Sequence, residues 1–134
     1  MISIVIATYN RAFILQHTLN SIIGQNYDEW ELIIIDDGST DETEKIIRSY
    51  EMEKMRYIKT EHRGSPHAWN TGAMMAEGDS IFFVGDDVIL APNCLEKLIK
   101  TRKKLPRRIG GIAPRLIYVR DVERKHSPMR SHGE

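Results

Sequence analysis

Two pairs of adjacent carboxylates are the residues here whose type and spacing could do chemistry. Asp36-Asp37 follows the apolar run Leu32-Ile33-Ile34-Ile35, and Asp86-Asp87 follows Ile81-Phe82-Phe83-Val84-Gly85. Acids gathered on one rim repel each other unless a divalent cation and the donor groups of a ligand offset the charge. Carboxylate-only ligation suits Mg2+ or Mn2+, which also bridge diphosphate oxygens. A carboxylate at Asp36 or Asp37 can accept from a base N–H or a ribose hydroxyl. Gly38 allows a tight turn beside the ligand, and Gly85 removes side-chain bulk. A plain turn with Ser39 as helix cap accounts for Gly38 and Ser39, but for one acid at most. An Asp37 reserved for a ligand is expected to matter little to folding.

The elements that must position these acids follow from the apolar pattern. Short continuous apolar runs suit parallel strands covered on both faces. Strands are expected at 2–7, 31–35, 56–59, 80–84 and 109–119. The expected helix at 11–25 is capped by Asn10 and buries Leu15, Leu19, Ile22 and Ile23. A second helix has Ser39 and Glu42 as a capping box and Ile46, Ile47 and Tyr50 as its buried stripe. A third opens at Ser65-Pro66 and closes on Gly78 as a left-handed terminator. A fourth opens at Pro92 and turns Leu95, Leu98 and Ile99 inward. This βαβαβαβαβ alternation implies an α/β fold with a mainly parallel, Rossmann-like sheet flanked by helices. Ligands in such sheets bind beyond the carboxyl ends of the strands. The apolar pattern stops after Val119, which divides the chain into a domain at 1–119 and, at 120–134, a polar tail or the start of a missing acceptor region.

Other features narrow the function. A chain of 134 residues with 41% hydrophobic and 28% charged content is long and apolar enough for one domain with a core. A formal net charge of zero gives no bulk attraction for nucleic acid. The lone Cys94 permits no internal disulfide and points to the reducing cytoplasm. No apolar run is long enough to span a bilayer. Ala7-Thr8-Tyr9-Asn10-Arg11 occupies the first strand–helix turn, yet neither G-x-G-x-x-G nor G-x-x-x-x-G-K-[ST] occurs, which argues against a dehydrogenase or a P-loop enzyme. Arg63-Gly64-Ser65-Pro66 enters a helix N-terminus, where backbone N–H groups and Arg63 suit a diphosphate. Arg63 reads equally well as a solvated charge. His67 reads as a surface residue, and Trp69 as core or pocket wall.

Four segments in order resemble family 2 glycosyltransferases of the GT-A fold: I-A-T-Y-N-R, I-I-I-D-D-G-S-T-D, R-G-S-P-H-A-W-N-T-G and E-G-D-S-I-F-F-V-G-D-D. The resemblance covers 1–119. It implies a nucleotide-diphosphate sugar donor of the UDP type, a divalent cation, and inverting transfer to an acceptor hydroxyl. It implies that Ala7, Thr8, Tyr9 and Asp37 line the base site, and that Asp86 meets ribose or metal. Asp87 would be a metal ligand within the "DXD" region. Asp36, Arg63, Gly64 and Asn70 complete the expected donor site. Val84 stands where many members carry a first acid, and Trp69 where an arginine is common. The downstream E-D pair that serves as base in inverting members, and the Q-x-x-R-W segment, are both absent from the sequence.

The expected function is therefore that of a glycosyltransferase's donor-binding part, truncated relative to the whole enzyme and by itself inactive in transfer, with no assigned catalytic base. The acceptor is open among glycan, lipid and protein. The alternatives are a nucleotide-sugar-binding module without turnover and, less favoured because the first loop lacks glycine, a nucleotidyltransferase. The basic cluster Arg102, Lys103, Lys104, Arg107 and Arg108 reads as a solvated face or as a peripheral contact with anionic headgroups at the cytoplasmic side of a membrane.

Overall fold

The computed structural model describes residues 1–117. Its sheet is built from β1 (Ile2–Thr8), β2 (Trp30–Asp36), β3 (Met55–Lys59) and β4 (Ser80–Phe83). All neighbours are parallel and the order is β3-β2-β1-β4. β1 runs beside β2 from Ile2↔Trp30 to Thr8↔Asp36, and beside β4 from Ile2↔Ser80 to Val5↔Phe83. The two central strands are apolar almost throughout because both of their faces are covered.

The pleat divides the core in two. Ile2, Ile4, Ile6, Leu32 and Ile34 face Leu15, Leu19 and Ile22 of α1 (Ala12–Ile23), Ile47 of α2 (Thr43–Arg48) and Leu95 of α4 (Cys94–Lys104). Val5, Ile33 and Ile35 face Ala68 and Trp69 of α3 (Ser65–Met75) on the opposite side. Winding runs outward from β1 through β2 to β3, then returns through α3 to β4 on the other flank of β1. Right-handed crossovers put α3 on the opposite face once the direction reverses. Gly72 makes this packing possible, since a Cβ there would sit 2.3 Å from Val5 Cγ1.

Several expectations are corrected. Ile23 is exposed, because Leu15, Leu19 and Ile22 already complete the buried stripe of α1. α3 ends at Met75 on an extended Ala76, not on Gly78. Gly78 lacks a positive φ; a side chain there would strike the Met1 carbonyl at 2.6 Å. Residues 109–117 form no strand. Pro114 has no N–H for a ladder, and Ile117 is 77% exposed. Residues 118–119 of that expected strand, and the tail at 120–134, lie outside the described residues.

A groove of about 410 Å3 runs beside β4 and α4, lined by Ile2, Phe82, Leu98, Ile99 and Arg102 among others. It shares no residue with the two carboxylate pairs. Arg102, Lys103 and Lys104 fall in the last turn of α4, where positive charge suits the helix dipole. Among the described residues no helix is long and apolar enough to cross a membrane.

Candidate functional site

The reversal of winding creates a switch point between β1 and β4, where open α/β sheets bind ligands beyond the strand ends. The structure brings the first and fourth motif segments together there. Thr8, at the end of β1, donates its hydroxyl to Asp86 Oδ2 at 2.9 Å across 78 positions of sequence. Thr18 of α1 donates to the Asp86 carbonyl at 3.0 Å and fixes the turn after β4. Asp86 is 8% exposed. Burial pushes its carboxyl above the usual range, and the neighbouring Asp87 adds to that. Thr8 and Arg11 oppose the rise without cancelling it. Asp87, in contrast, reaches into solvent with 58% of its side chain exposed.

The second segment occupies the adjoining rim. Asp36 is fully buried and turned inward. Its Oδ1 accepts the Ser39 N–H at 2.8 Å, and its Oδ2 accepts the Tyr57 hydroxyl. Burial, and next the bond to Asp36, drives the Tyr57 hydroxyl far above its ordinary pKa. Asp36 thus braces the turn, with both of its carboxylate oxygens, expected to meet a ligand, accepting from protein donors. Asp37 is 4% exposed and anchors the loop after β3. Its Oδ1 accepts the Arg63 N–H at 2.8 Å, and its Oδ2 accepts the Gly64 N–H at 3.0 Å and His62 Nδ1 at 2.9 Å. Burial alone would raise the Asp37 carboxyl. The two backbone donors and His62 outweigh it and hold the pKa below the usual value. Gly38, at φ 84°, lets the chain turn against this loop, where a Cβ would lie 3.0 Å from the His62 nitrogen. These bonds argue against the expectation that Asp37 matters little to folding.

Neither predicted cap forms. Asn10 Oδ1 accepts the N–H groups of Thr40 (2.7 Å) and Asp41 (3.2 Å), while the Asn10 N–H donates to Ser39 Oγ at 2.9 Å. Asn10, at φ 51°, therefore staples the first loop to the second. Asp41 takes over at the helix starts, accepting from the N–H groups of Thr43 (3.0 Å) and Ala12 (3.3 Å).

The remaining predicted residues scatter around the same rim. Ala7 is half-buried at the end of β1. Tyr9 is exposed and stacks on His62 with ring centroids 4.2 Å apart. Gly64 commits its N–H to Asp37, and the exposed Arg63 guanidinium lies 3.4 Å from Glu61. Asn70 is exposed on α3, and Trp69 packs edge-on against Phe83, as a wall between α3 and β4. Sequence reasoning missed His62, which ties the Tyr9 ring to Asp37. It also missed Arg11, whose Nη1 lies 3.2 Å from Asp86 Oδ1 and 3.5 Å from Asp87 Oδ2. The only local signal was a cation in the turn after the first strand.

The Arg11 contact also tests whether these residues fit a divalent ion. One cationic nitrogen reaches both carboxylates, so the pair can converge on a single positive centre, and its donor set is all oxygen. Among the described residues no cluster of three or more His, Cys, Asp or Glu could hold a metal. Asp86 and Asp87 would hold one only with oxygens from a ligand or water.

A sequence model of glycosyl transferase family 2 matches residues 3–131. The chain belongs to that family. An uncharacterized glycosyltransferase of Nostoc sp. is 30% identical over 102 residues, covering 74% of this chain and 32% of its own length. Validoxylamine A glucosyltransferase of Streptomyces hygroscopicus subsp. jinggangensis is 34% identical over 104 residues, covering 74% of this chain and 25% of its own. This family 2 chain thus spans about a third or less of the curated relatives it matches. Among solved structures, S. aureus TarS 1–349 superposes with a TM-score of 0.72 at 27% identity, over 77% of this chain and 32% of that one. The mannosyltransferase PcManGT from Pyrobaculum calidifontis, in complex with GDP-Man and Mn2+, gives 0.70 at 28% identity, over 74% and 31%. The fold is that of the GT-A glycosyltransferases, as the motif order implied.

Proposed function

We propose that the rim at the β1–β4 switch point binds a nucleoside diphosphate sugar, with a uridine-type base and Mg2+ or Mn2+, for inverting transfer to an acceptor hydroxyl. The observation that carries this reading is the closure of Thr8 onto Asp86 at the switch point, beside the loop that Asp37 holds. It is supported by TarS structures with UDP and UDP-GlcNAc, and by PcManGT with GDP-Man and Mn2+. In this reading Ala7, Thr8, Tyr9 and Asp37 form the base side, and the Tyr9–His62 stack offers an aromatic edge. Arg63, Gly64 and the start of α3 face the diphosphate, Asn70 lies one turn further, and Asp86 and Asp87 hold the cation. When bound, the cation stabilises the departing diphosphate. Asp86, kept rigid by Thr8 and Thr18, sets the position at which the donor's phosphates meet the protein.

The acceptor, whether glycan, lipid or protein, and the catalytic base are not assigned to any residue. The reaction would run in the cytoplasm, where Cys94 stays reduced, with the basic end of α4 available to anionic headgroups. Titration calorimetry with UDP tests the donor reading. Binding is expected with Mg2+ or Mn2+ and is expected to be lost in EDTA, and Asp87→Asn should abolish the difference. Equal affinity in both conditions would overturn the metal role.

A further inference from the structure

Among the described residues Arg11 is the cation that pairs with both Asp86 and Asp87. Its guanidinium reaches Asp86 Oδ1 and Asp87 Oδ2, on the same two carboxylates that would hold the divalent ion. Two cations on one carboxylate pair repel each other, so occupation by one excludes the other. The Arg11 side chain is 48% exposed and lies just before the first turn of α1. Asp86 cannot follow, because Thr8 and Thr18 hold its side chain and carbonyl.

We propose that Arg11 is a resident counter-ion that keeps the Asp86–Asp87 pair in place without donor and yields it to the divalent ion when a nucleoside diphosphate arrives. The proposal rests on the donor-site reading above. A diphosphate brings fresh negative charge within reach of the guanidinium, whose planar fork matches phosphate oxygens. Arg11 therefore loses one anionic partner and gains another, while the metal takes its place. The ion alone must displace Arg11 without compensation; the ion with nucleotide need not. Metal and nucleotide consequently strengthen each other's binding, and the coupling is reciprocal. Arg11 acts here as a positioning residue.

Electron paramagnetic resonance of free Mn2+ measures this directly on the 134-residue chain, with and without UDP. Arg11→Gln is expected to bind Mn2+ alone about three- to tenfold more tightly than wild type, the range for freeing a partly exposed carboxylate pair. UDP should then raise Mn2+ affinity less in the variant than in wild type. Arg11→Lys, which keeps the charge and loses the fork, should fall between them and guards against misfolding of the glutamine variant. Lys103→Gln, a charge removed from the distant end of α4, should behave as wild type. In wild type, the Arg11 Nε–Hε resonance should shift on adding Mg2+ with UDP but not on adding Mg2+ alone. If UDP brings Mn2+ onto wild type while Mn2+ alone binds wild type and both Arg11 variants equally, the donor-site reading stands and the exchange is overturned. If UDP brings no Mn2+ onto wild type, both fall.

Discussion

Asp37 and Asp86 are both nearly sealed from water, yet opposite forces act on their charges. At Asp37 two backbone N–H groups and His62 outweigh burial, so the ionised form stabilises the fold. That contribution is complete above the unfolded carboxylate pKa of about 3.9 and is lost as pH falls through the lower folded value. Asp37→Ala should therefore lower urea-unfolding stability at pH 7 by about 1–3 kcal/mol, the cost of orphaning buried donors. The gap to wild type should narrow on the acid side of pH 4. An unchanged midpoint at pH 7 would mean that the loop stands without this anchor. At Asp86 burial leads and the pKa is raised, so the charge opposes folding. That cost is absent below the unfolded pKa and complete above the folded one. Asp86→Asn should leave the ligand-free melting midpoint at neutral pH no lower than wild type, while metal-dependent UDP binding is lost. A clear drop in the midpoint would mark Asp86 as structural. The position of the acid pairs at the rim was legible because each follows an apolar strand, but the structural work of Asp36 and Asp37 was not, because Tyr57, Arg63 and Gly64 come from other elements. Arg11 was not, because its partner lies 75 positions away and only the sheet's switch point joins them.

Elements were legible where burial alone dictates pattern and illegible where a partner from another loop decides. The continuous apolar runs of β1 and β2 read correctly because a strand covered on both faces needs no alternation. Asn10 and Ser39 misled because each has the chemistry of a helix cap, and the two loops that carry them bond each other instead. Gly78 misled similarly: its position past a helix resembles a left-handed terminator, but the real constraint is the nearby Met1 backbone. Gly72 gives the sharpest test at this scale. Gly72→Ala should destabilise the fold by about 1–3 kcal/mol through overpacking against Val5, despite alanine's better helix propensity. Val5→Ala should recover part of that loss in the double variant, which thermal melts of the two singles and the double will show. Additive losses would place the strain elsewhere.

At the scale of the whole molecule, the residues brought together are those proposed for a donor, and none of them is assigned to the second substrate. Thr8, Asp37, Asp86 and Asp87 come from three strand ends that converge through winding. Deprotonating an acceptor hydroxyl needs a base within hydrogen-bond reach of it. The rim acids are engaged: Asp36 and Asp37 by the turn and loop, Asp86 by Thr8, and both Asp86 and Asp87 by Arg11. The sequence contains neither an E-D pair nor a Q-x-x-R-W segment. The 134-residue chain is therefore expected to bind UDP-sugars yet transfer sugar to no acceptor, with at most slow donor hydrolysis. A screen of nucleotide sugars against simple glycans, lipids and peptides checks this by product mass. Robust transfer that survives separate replacement of Asp121, Glu123 and His126 would place a base among the rim residues assigned to the donor. Transfer lost on replacing one of those three would place the base beyond Val119 instead. In either case donor site and base would both lie within these 134 residues.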